Sequence, residues 1–197
     1  MSVHAVILAG GLGSRLGHVR KADLIVDGQR LIDRVAGRLG GIDGTLLVST
    51  GTHTRLKLPA GAIGVPDAEM QSRGPLAGIT AAASYLREMG IARDVLVSVA
   101  VDSPFLPEDY VPRLTQTPED AAYASFGDAF YPTNAAWPLE SLWSALAIHQ
   151  TNAGPKSILA AIGARRVDWS QLFTEDPFAS LNSLSDLIEM QRRAQKA

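Results

Sequence analysis

Apolar and polar stretches alternate along this chain, and their lengths predict strands and helices in turn. Val3–Ala9 and Asp94–Ala100 are largely apolar and end at glycines or polar residues, which is typical of strands covered on both faces of a sheet. Shorter runs predict further strands at Thr45–Ser49, Ala62–Val65, Ala121–Phe126 and Arg165–Asp168, and Phe130–Asn134 is expected to pair near the third of them.

The segments between these runs carry apolar residues at helical spacing. Leu31–Leu39 follows this pattern, and a second helix is expected to begin at Pro75 and to end at Gly90. Ser183, with Asp186 three residues later, is typical of a capping box. The remaining predicted helices are Pro107–Leu114, Trp137–Ile148, Pro155–Ile162 and Ser183–Arg193.

Strands that alternate with helices predict parallel pairing through right-handed crossovers, with helices on both faces of the sheet. We therefore expect a three-layer α/β/α fold with a mostly parallel sheet. In open sheets of this kind, ligands bind beyond the carboxyl ends of the strands. The residues that directly follow each predicted strand are therefore the candidates for chemistry.

Glycines and cations follow the first predicted strand. The segment reads Gly10-Gly11-Leu12-Gly13-Ser14-Arg15-Leu16-Gly17, with Lys21 four residues further on. Glycines allow the backbone to turn sharply and to bring its N–H groups close to a ligand. Arg15 can pair with phosphate oxygens in a forked geometry, and Lys21 supplies a compact point charge. The loop lacks the Walker and dinucleotide spacings. It nevertheless predicts a nucleoside triphosphate site, and the alternative is a tight turn with surface cations.

Asp102 lies just beyond the predicted strand Asp94–Ala100. A carboxylate at a strand end suits Mg²⁺, which takes one or two carboxylates together with substrate phosphates. The alternative is that Asp102 or Ser103 caps a helix that begins at Pro104. A phosphate loop on a neighbouring strand end favours the metal.

Two further polar features follow predicted strands. Gly74 and Pro75 open a helix whose N-terminus is a natural site for an anion or a polar ligand. Gly78 inside this helix indicates either close approach of a ligand or another backbone, or dense packing of the helix on the sheet. Asp67 follows the strand Ala62–Val65, and it either accepts hydrogen bonds from a base or ribose or lies in a turn.

The composition limits the classes of function. The 197 residues carry a formal net charge of −2 with no long run of one sign, which argues against a nucleic-acid-binding protein. The absence of cysteine excludes disulfides, thiolate zinc sites and cysteine nucleophiles, and it fits a reducing compartment. The first apolar run is too short for a signal or a membrane span, so we expect a cytoplasmic protein without a membrane partner.

These parts suggest nucleotidyl transfer, in which a phosphate on an acceptor attacks the α-phosphorus of a nucleoside triphosphate and pyrophosphate leaves. One Mg²⁺ on Asp102 would polarise the α-phosphate. Arg15, Lys21 and the amides of the glycine loop would hold the leaving pyrophosphate. No general base is required, because a phosphate monoester is already an anion at pH 7.

Four motifs extend over the chain: Leu8-Ala9-Gly10-Gly11 with Arg15 and Lys21, Gly74-Pro75-Leu76-Ala77-Gly78-Ile79, Asp102-Ser103-Pro104-Phe105-Leu106-Pro107, and Asn182-Ser183-Leu184-Ser185-Asp186-Leu187. In these motifs the sequence resembles the nucleotidyltransferases and, more narrowly, the molybdenum cofactor guanylyltransferases. The resemblance implies a Rossmann-like nucleotide-diphospho-sugar transferase fold. It also implies transfer of GMP from GTP to molybdopterin, or molybdenum cofactor, with Mg²⁺ as the cofactor. Residues 1–197 are then one domain, with a nucleotide half at about 1–106 and an acceptor half at about 107–197.

By the same resemblance, Arg15, Lys21 and Asp102 are catalytic, and Asp102 binds the magnesium ion. Lys156 and Asn182 would face the molybdopterin. The expected nucleotide-binding residues are Leu8, Ala9, Gly10, Gly11, Gly13, Arg15, Lys21, Ser49, Asp67, Gly74 and Pro75. Transient contact with pterin-delivering proteins or with molybdoenzymes is also expected.

Alternative functions remain at this stage. Ser49 ends the second strand where an asparagine of the family often helps to recognise guanine, so cytidylyl transfer to the same acceptor is one alternative. Nucleotidyl transfer to a sugar or polyol phosphate is another. A nucleotide-binding regulatory module without turnover is a third, and the presence together of Arg15, Lys21 and Asp102 argues against it.

Overall fold

The computed structural model describes residues 1–13, 19–51, 55–67, 74–149 and 153–196. Its strands are β1 (Val3–Leu8), β2 (Leu12–Gly13), β3 (Val19–Arg20), β4 (Ile25–Val26), β5 (Gln29–Arg30), β6 (Leu46–Ser49), β7 (Ile63–Val65), β8 (Val95–Ala100), β9 (Ala122–Phe126), β10 (Ala129–Pro138) and β11 (Arg165–Asp168). Its helices are α1 (Leu31–Gly37), α2 (Pro75–Glu88), α3 (Tyr110–Leu114), α4 (Leu139–Ile148), α5 (Pro155–Ala161) and α6 (Leu184–Ala194).

Within the described residues, seven strands form one sheet in the order β11-β9-β10-β8-β1-β6-β7. β1 pairs in parallel with β6 and β8, β6 pairs in parallel with β7, and β9 pairs in parallel with β11. β10 runs antiparallel to both of its neighbours, β8 and β9. The expected mostly parallel α/β fold is confirmed, and β10 is its antiparallel member.

Helices cover both faces of this sheet. Ala5 and Ile7 of β1 point into a core shared with α1 and α3. Val6, which lies between them, points into a second core shared with α2, α4 and α5. This alternation is the two-residue period of a strand, and it explains why the first strand is apolar on both faces. The carboxyl ends of the strands therefore open between two packed helix layers.

A short segment between β1 and α1 supports the loop that follows β1. β2 pairs with β3 through Leu12 and Arg20, and a 3₁₀ turn at Lys21–Asp23 follows. β4 and β5 form a hairpin whose turn residues, Asp27 and Gly28, both have positive φ. An Asp-Gly pair is the expected sequence for such a turn.

Helix α6 packs against this hairpin. A third apolar cluster joins the two and also includes Phe105, which follows the Asp102 motif; its buried members are Val26, Leu31, Phe105, Leu181, Met190 and Ala194. The predicted capping box at the start of α6 is confirmed, because Ser183 Oγ accepts from the Asp186 N–H at 3.2 Å and Asp186 Oδ2 accepts from the Ser183 N–H at 2.8 Å. Residues near positions 20 and 180 are thereby brought to the same side of the sheet.

Two predicted boundaries were wrong. Trp137 belongs to β10 rather than to a helix: it pairs with Leu96, and its indole N–H donates to Ser98 Oγ at 2.8 Å. The apolar pattern continues without a break from the strand into α4, so periodicity alone did not separate them. The helix expected from Pro107 begins only at Tyr110. In the described part of the chain, no helix is long and apolar enough to cross a membrane.

Candidate functional site

A cavity of about 380 Å³ lies beyond the carboxyl ends of β1, β6 and β8. Its lining contains eight of the predicted nucleotide-binding residues, namely Leu8, Gly10, Gly11, Lys21, Ser49, Asp67, Gly74 and Pro75, together with the predicted metal ligand Asp102. Ala100, Val101, Thr133 and Ser180 complete it. Residues far apart in sequence thus meet at the edge of the sheet where ligands bind in this fold class.

Lys21 is the centre of one end of this cavity. Its Nζ donates to Asp102 Oδ2 at 2.7 Å and to Asn182 Oδ1 at 2.7 Å. The side chains of Lys21 and Asp102 are only 13% and 16% exposed, so solvent screens their attraction less than on an open surface. One ammonium group therefore contacts both a carboxylate and a side-chain amide oxygen.

Asp102 lies on a tight turn after β8, in which the Ser103 N–H donates to the Ala100 carbonyl at 3.2 Å. The next helix begins only at Tyr110. In the described residues the Asp102 carboxylate pairs with Lys21 rather than with the N–H groups of a helix. The interpretation of Asp102 as a helix cap at Pro104 is therefore wrong.

Ser49 and Asp67 form the other end of the cavity. The Ser49 hydroxyl donates to Asp67 Oδ1 at 2.5 Å, and Ser49 itself is buried. β7, β6, β1 and β8 are successive neighbours, so three strand spacings, roughly 14 Å in all, separate the ends of the strands that precede Asp67 and Asp102. The Asp67 side chain extends from its own strand end toward the loop after β1, since its Oδ2 lies 3.6 Å from the position of a Cβ on Gly10.

Close contact between backbones shapes the middle of the cavity. A Cβ on Gly10 would lie 2.9 Å from Gly51 Cα, so only glycine permits the loops after β1 and β6 to pack together. A Cβ on Gly78 would lie 2.7 Å from the Cβ of Ser49 and 3.0 Å from Leu8 Cδ2. Of the two interpretations of Gly78, dense packing of α2 on the sheet is the one observed. This packing brings the N-terminus of α2 to the cavity.

The C-terminal segment contributes Asn182 to the site. The Asn182 and Ser183 N–H groups both donate to Asp186 Oδ2 at 2.8 Å. These two bonds hold the pKa of Asp186 below its ordinary value, and the bond from the Asn182 N–H has the larger effect. The capping box of α6 therefore also fixes the backbone of the residue that contacts Lys21.

Other predicted residues lie elsewhere. Arg15 falls outside the described residues. Ala9 is buried and its N–H donates to the Ser49 carbonyl at 2.9 Å, while Gly13 pairs with Val19 in the β2–β3 hairpin. Lys156 lines a second cavity of about 350 Å³, between α5 and the start of β10. The structure does not bring Lys156 into the cavity that holds Asp102.

Sequence reasoning missed the part of β10 that reaches the site. Tyr131 pairs with Ala124 of β9, and Ala135 pairs with the adjacent Tyr123. The three residues between Tyr131 and Ala135 therefore lie outside the ladder. One of these, Thr133, lines the cavity. Pro132 is the signal in the sequence, because a proline within a strand pattern marks an edge or a bulge.

The chain is similar to proteins of one family along most of its length. Residues 5–167 match the MobA-like NTP transferase domain. The molybdenum cofactor guanylyltransferase of Rhodobacter capsulatus is 35% identical over 194 residues, which cover 98% of this chain and 97% of that protein. The molybdenum cofactor guanylyltransferase of Acidiphilium cryptum is 34% identical over 188 residues, which cover 94% and 92% respectively.

Solved structures show the same fold at lower identity. Molybdopterin-guanine dinucleotide biosynthesis protein A from Archaeoglobus fulgidus superposes with a TM-score of 0.72 at 20% identity, covering 98% of this chain and 100% of that one. A 2-C-methyl-D-erythritol 4-phosphate cytidylyltransferase from Thermus thermophilus gives 0.65 at 18% identity, covering 99% and 100%. The resemblance drawn from the four motifs is confirmed: the chain belongs to the MobA-like NTP transferase family.

Proposed function

We propose that this protein transfers GMP from GTP to molybdopterin or molybdenum cofactor, releasing pyrophosphate and forming the guanine dinucleotide cofactor. The observation that carries the proposal is the pairing of Lys21 with Asp102 at 2.7 Å in a cavity that Gly10 and Gly11 also line. Relatives named for this activity align with nearly the whole chain at more than 30% identity. Three of the four motifs supply residues that line this cavity.

The distribution of charge along the cavity favours a nucleotide with its phosphates near Lys21 and its base near Asp67. Gly10 and Gly11 lie between these ends and offer backbone N–H groups to phosphate oxygens. The N-terminus of α2 at Pro75 adds a partial positive charge on the same side. In this orientation the α-phosphate comes between the glycine loop and Asp102.

Asp67 favours guanine over cytosine by hydrogen-bonding chemistry. Its carboxylate is an acceptor only, and the bond from Ser49 to Oδ1 leaves lone pairs on both oxygens for further donors. The pairing edge of guanine presents two adjacent donors, N1–H and the N2 amino group. Cytosine presents an acceptor, N3, beside its amino group, and this acceptor would face a negative oxygen. The serine in place of the family's asparagine therefore acts by orienting Asp67.

The residues at Asp102 fit a divalent cation that arrives with the nucleotide. Asp102 supplies a hard anionic oxygen, and no group of three acidic or histidine side chains gathers around a metal site within the described ranges. A cation here would take its remaining ligands from phosphate oxygens and water, which is the habit of Mg²⁺. When bound, Mg²⁺ would neutralise charge on the α-phosphate and draw electrons from its phosphorus.

The protein's own groups position and neutralise. Lys21 supplies a cation for the phosphates, because phosphate oxygens can replace the two side-chain oxygens that its Nζ contacts. Arg15 is proposed for the same task from the sequence. The attacking phosphate monoester, with a second pKa of about 6, is already an anion at pH 7, so no side chain needs to remove a proton.

We assign the acceptor to the side of the cavity formed by β10 and the C-terminal segment. Asn182 contacts Lys21 there, and Ser180 lines the cavity. In the second cavity, Lys156 Nζ lies 5.7 Å from the centre of the Phe130 ring. An aromatic face beside a cation suits a flat, anionic pterin.

The test compares GTP, CTP and ATP with Mg²⁺, first by direct binding and then by turnover with molybdopterin. We expect preferential binding of GTP and release of pyrophosphate only with the pterin acceptor. Preference for CTP would retain the fold and acceptor but change the product. Binding of none of the three by the folded protein would overturn the proposal.

A further inference from the structure

The turn that presents Asp102 is fastened from several directions. On one side the Val101 N–H donates to the Leu8 carbonyl of β1 at 3.3 Å. On another side the Leu181 N–H donates to the Asp102 carbonyl at 3.2 Å. Neither bond uses the Asp102 carboxylate, which is thereby left to the cavity. The third side faces β10.

On that third side, the backbone of β10 does not pair with the end of β8. Regular pairing of β10 with β8 begins only at Ala135, opposite Ser98, because the three residues that precede Ala135 lie outside the ladder. The carbonyl of Thr133 accepts instead from the Ser98 hydroxyl at 2.8 Å. The last N–H of β8 that points toward β10, that of Ala100, would have no ladder partner.

The side chain of Asn134 fills the gap. Its Oδ1 accepts from the Ala100 N–H at 3.0 Å, and its Nδ2 lies 3.5 Å from Ser103 Oγ. Asn134 is completely buried, so water cannot replace these bonds. Ser103 Oγ in turn donates to the Phe178 carbonyl at 3.3 Å. One amide thus contacts both ends of the four-residue turn whose third member is Asp102.

We propose that Asn134 is a positioning residue for nucleotidyl transfer, which holds the turn at Ala100–Ser103 so that Asp102 faces Lys21 and the phosphates. The inference rests on the proposed function. Asn134 acts through the backbone and does not line the cavity itself. Catalysis by positioning is sensitive to displacements of about 1 Å, so loosening one end of the turn should slow the reaction without removing any substrate contact.

The experiment compares Asn134→Ala with His4→Ala. His4 is a matched control, since it is buried near the amino end of β1 and its Nδ1 accepts from the Thr45 N–H at 2.9 Å, away from Asp102. In Asn134→Ala we expect kcat to fall at least tenfold while KM for GTP changes less than twofold, because Ser49 and Asp67 are untouched. His4→Ala should lower Tm but leave kcat within twofold.

Hydrogen exchange supplies a readout that does not depend on activity. Exchange at residues 100–103 should accelerate in Asn134→Ala and stay unchanged in His4→Ala. If the wild-type protein transfers no nucleotide, the proposed function fails. Unchanged exchange at this turn in Asn134→Ala would still overturn the proposal that Asn134 holds the turn. A folded Asn134→Ala with normal kcat overturns the positioning role, as does a loss of kcat without faster exchange. Should Asn134→Ala not fold, Ser103→Ala applies the same criteria with a smaller expected loss of kcat, about threefold.

Discussion

The cavity is built from two regions that differ in how the chain supplies their residues. On the side of β1, β6 and β7, the site residues Gly10, Ser49 and Asp67 lie at or just beyond the ends of parallel strands, and the loops pack backbone to backbone through Gly10 and Gly51. On the side of β10, the residues come from a bulge in an antiparallel strand and from a C-terminal segment. The first region is defined by local sequence, and the second is defined by contacts between distant segments.

The difference separates two kinds of task. The nucleotide side offers backbone N–H groups, one cation and one fixed carboxylate, a set suited to any nucleoside triphosphate. The β10 side carries Thr133, Asn182 and, in the second cavity, Lys156. We infer that changes on the first side alter binding of GTP, whereas changes on the second alter the acceptor or the rate.

The largest expected effect is at the junction of the two regions. Asp102→Asn removes the negative charge that Lys21 and the proposed cation share, so turnover should fall by at least about 100-fold, while GTP binding should remain within about threefold. Single-turnover kinetics and equilibrium binding measure the two. Asp120→Asn, an exposed carboxylate in another loop, should leave both unchanged. Normal turnover of Asp102→Asn would remove Asp102 from the mechanism.

The nucleotide region is tested next by Asp67→Asn. Loss of a charge-assisted acceptor should weaken GTP binding by roughly tenfold or more, and binding of CTP should weaken less. Titration calorimetry with both nucleotides gives the ratio. A uniform loss for GTP and CTP would show that Asp67 contacts the ribose rather than the base.

The acceptor region is tested by Lys156→Ala. Removal of the Lys156 cation, which the proposal places beside an anionic acceptor, should raise KM for the acceptor by about fivefold, the loss of roughly 1 kcal/mol for an exposed ion pair, and should leave KM for GTP unchanged. Lys57→Ala, on an exposed residue between β6 and β7, is the matched control. If KM for GTP rises instead, the second cavity belongs to the nucleotide.

The smallest effect concerns the anchoring of Asn182. The lowered pKa of Asp186 means that its charge stabilises the folded state above the carboxyl's unfolded pKa, near 3.9, and that this stabilisation is lost as pH falls through the folded value. At pH 7, Asp186→Asn should lower Tm by about 1–2 °C. The difference in Tm from wild type should start to narrow as the pH falls below about 3.9. A difference that does not change with pH would assign the effect to hydrogen bonding alone.

The same contrast explains which features were predictable from sequence. Asp67 and Asp102 follow recognisable apolar runs, so their placement at one sheet edge followed from the rule for parallel strands, and Lys21 was found from the glycine-rich segment before it. The contact between Lys21 and Asn182 joins residues 161 positions apart, and no local pattern encodes it. Asn134 was missed for a related reason: its role depends on a shift of register between β10 and β9, which only the assembled sheet determines.

Trp137 illustrates a different limit. An apolar residue at the end of a buried strand carries the same signal as one at the start of a helix, and β10 passes directly into α4. The strand assignment follows from its pairing with Leu96 and from the bond of its indole N–H to Ser98. The periodicity of apolar residues shows which positions are buried. Where a strand passes directly into a helix, it does not show where the strand ends and the helix begins.

The bridge from Lys21 to Asn182 also sets a time order for the newly made protein. At typical translation rates of about 5–20 residues per second, the 161 positions between them correspond to a delay of roughly 8–32 seconds. During the second half of that interval, Lys21 and Asp102, which are 81 positions apart, have both been made, but Asn182 has not. A nascent chain is therefore expected to acquire a sheet before it acquires a complete site, and GTP in the cell meets a finished enzyme only after the C-terminal helix has docked on the hairpin near residue 26.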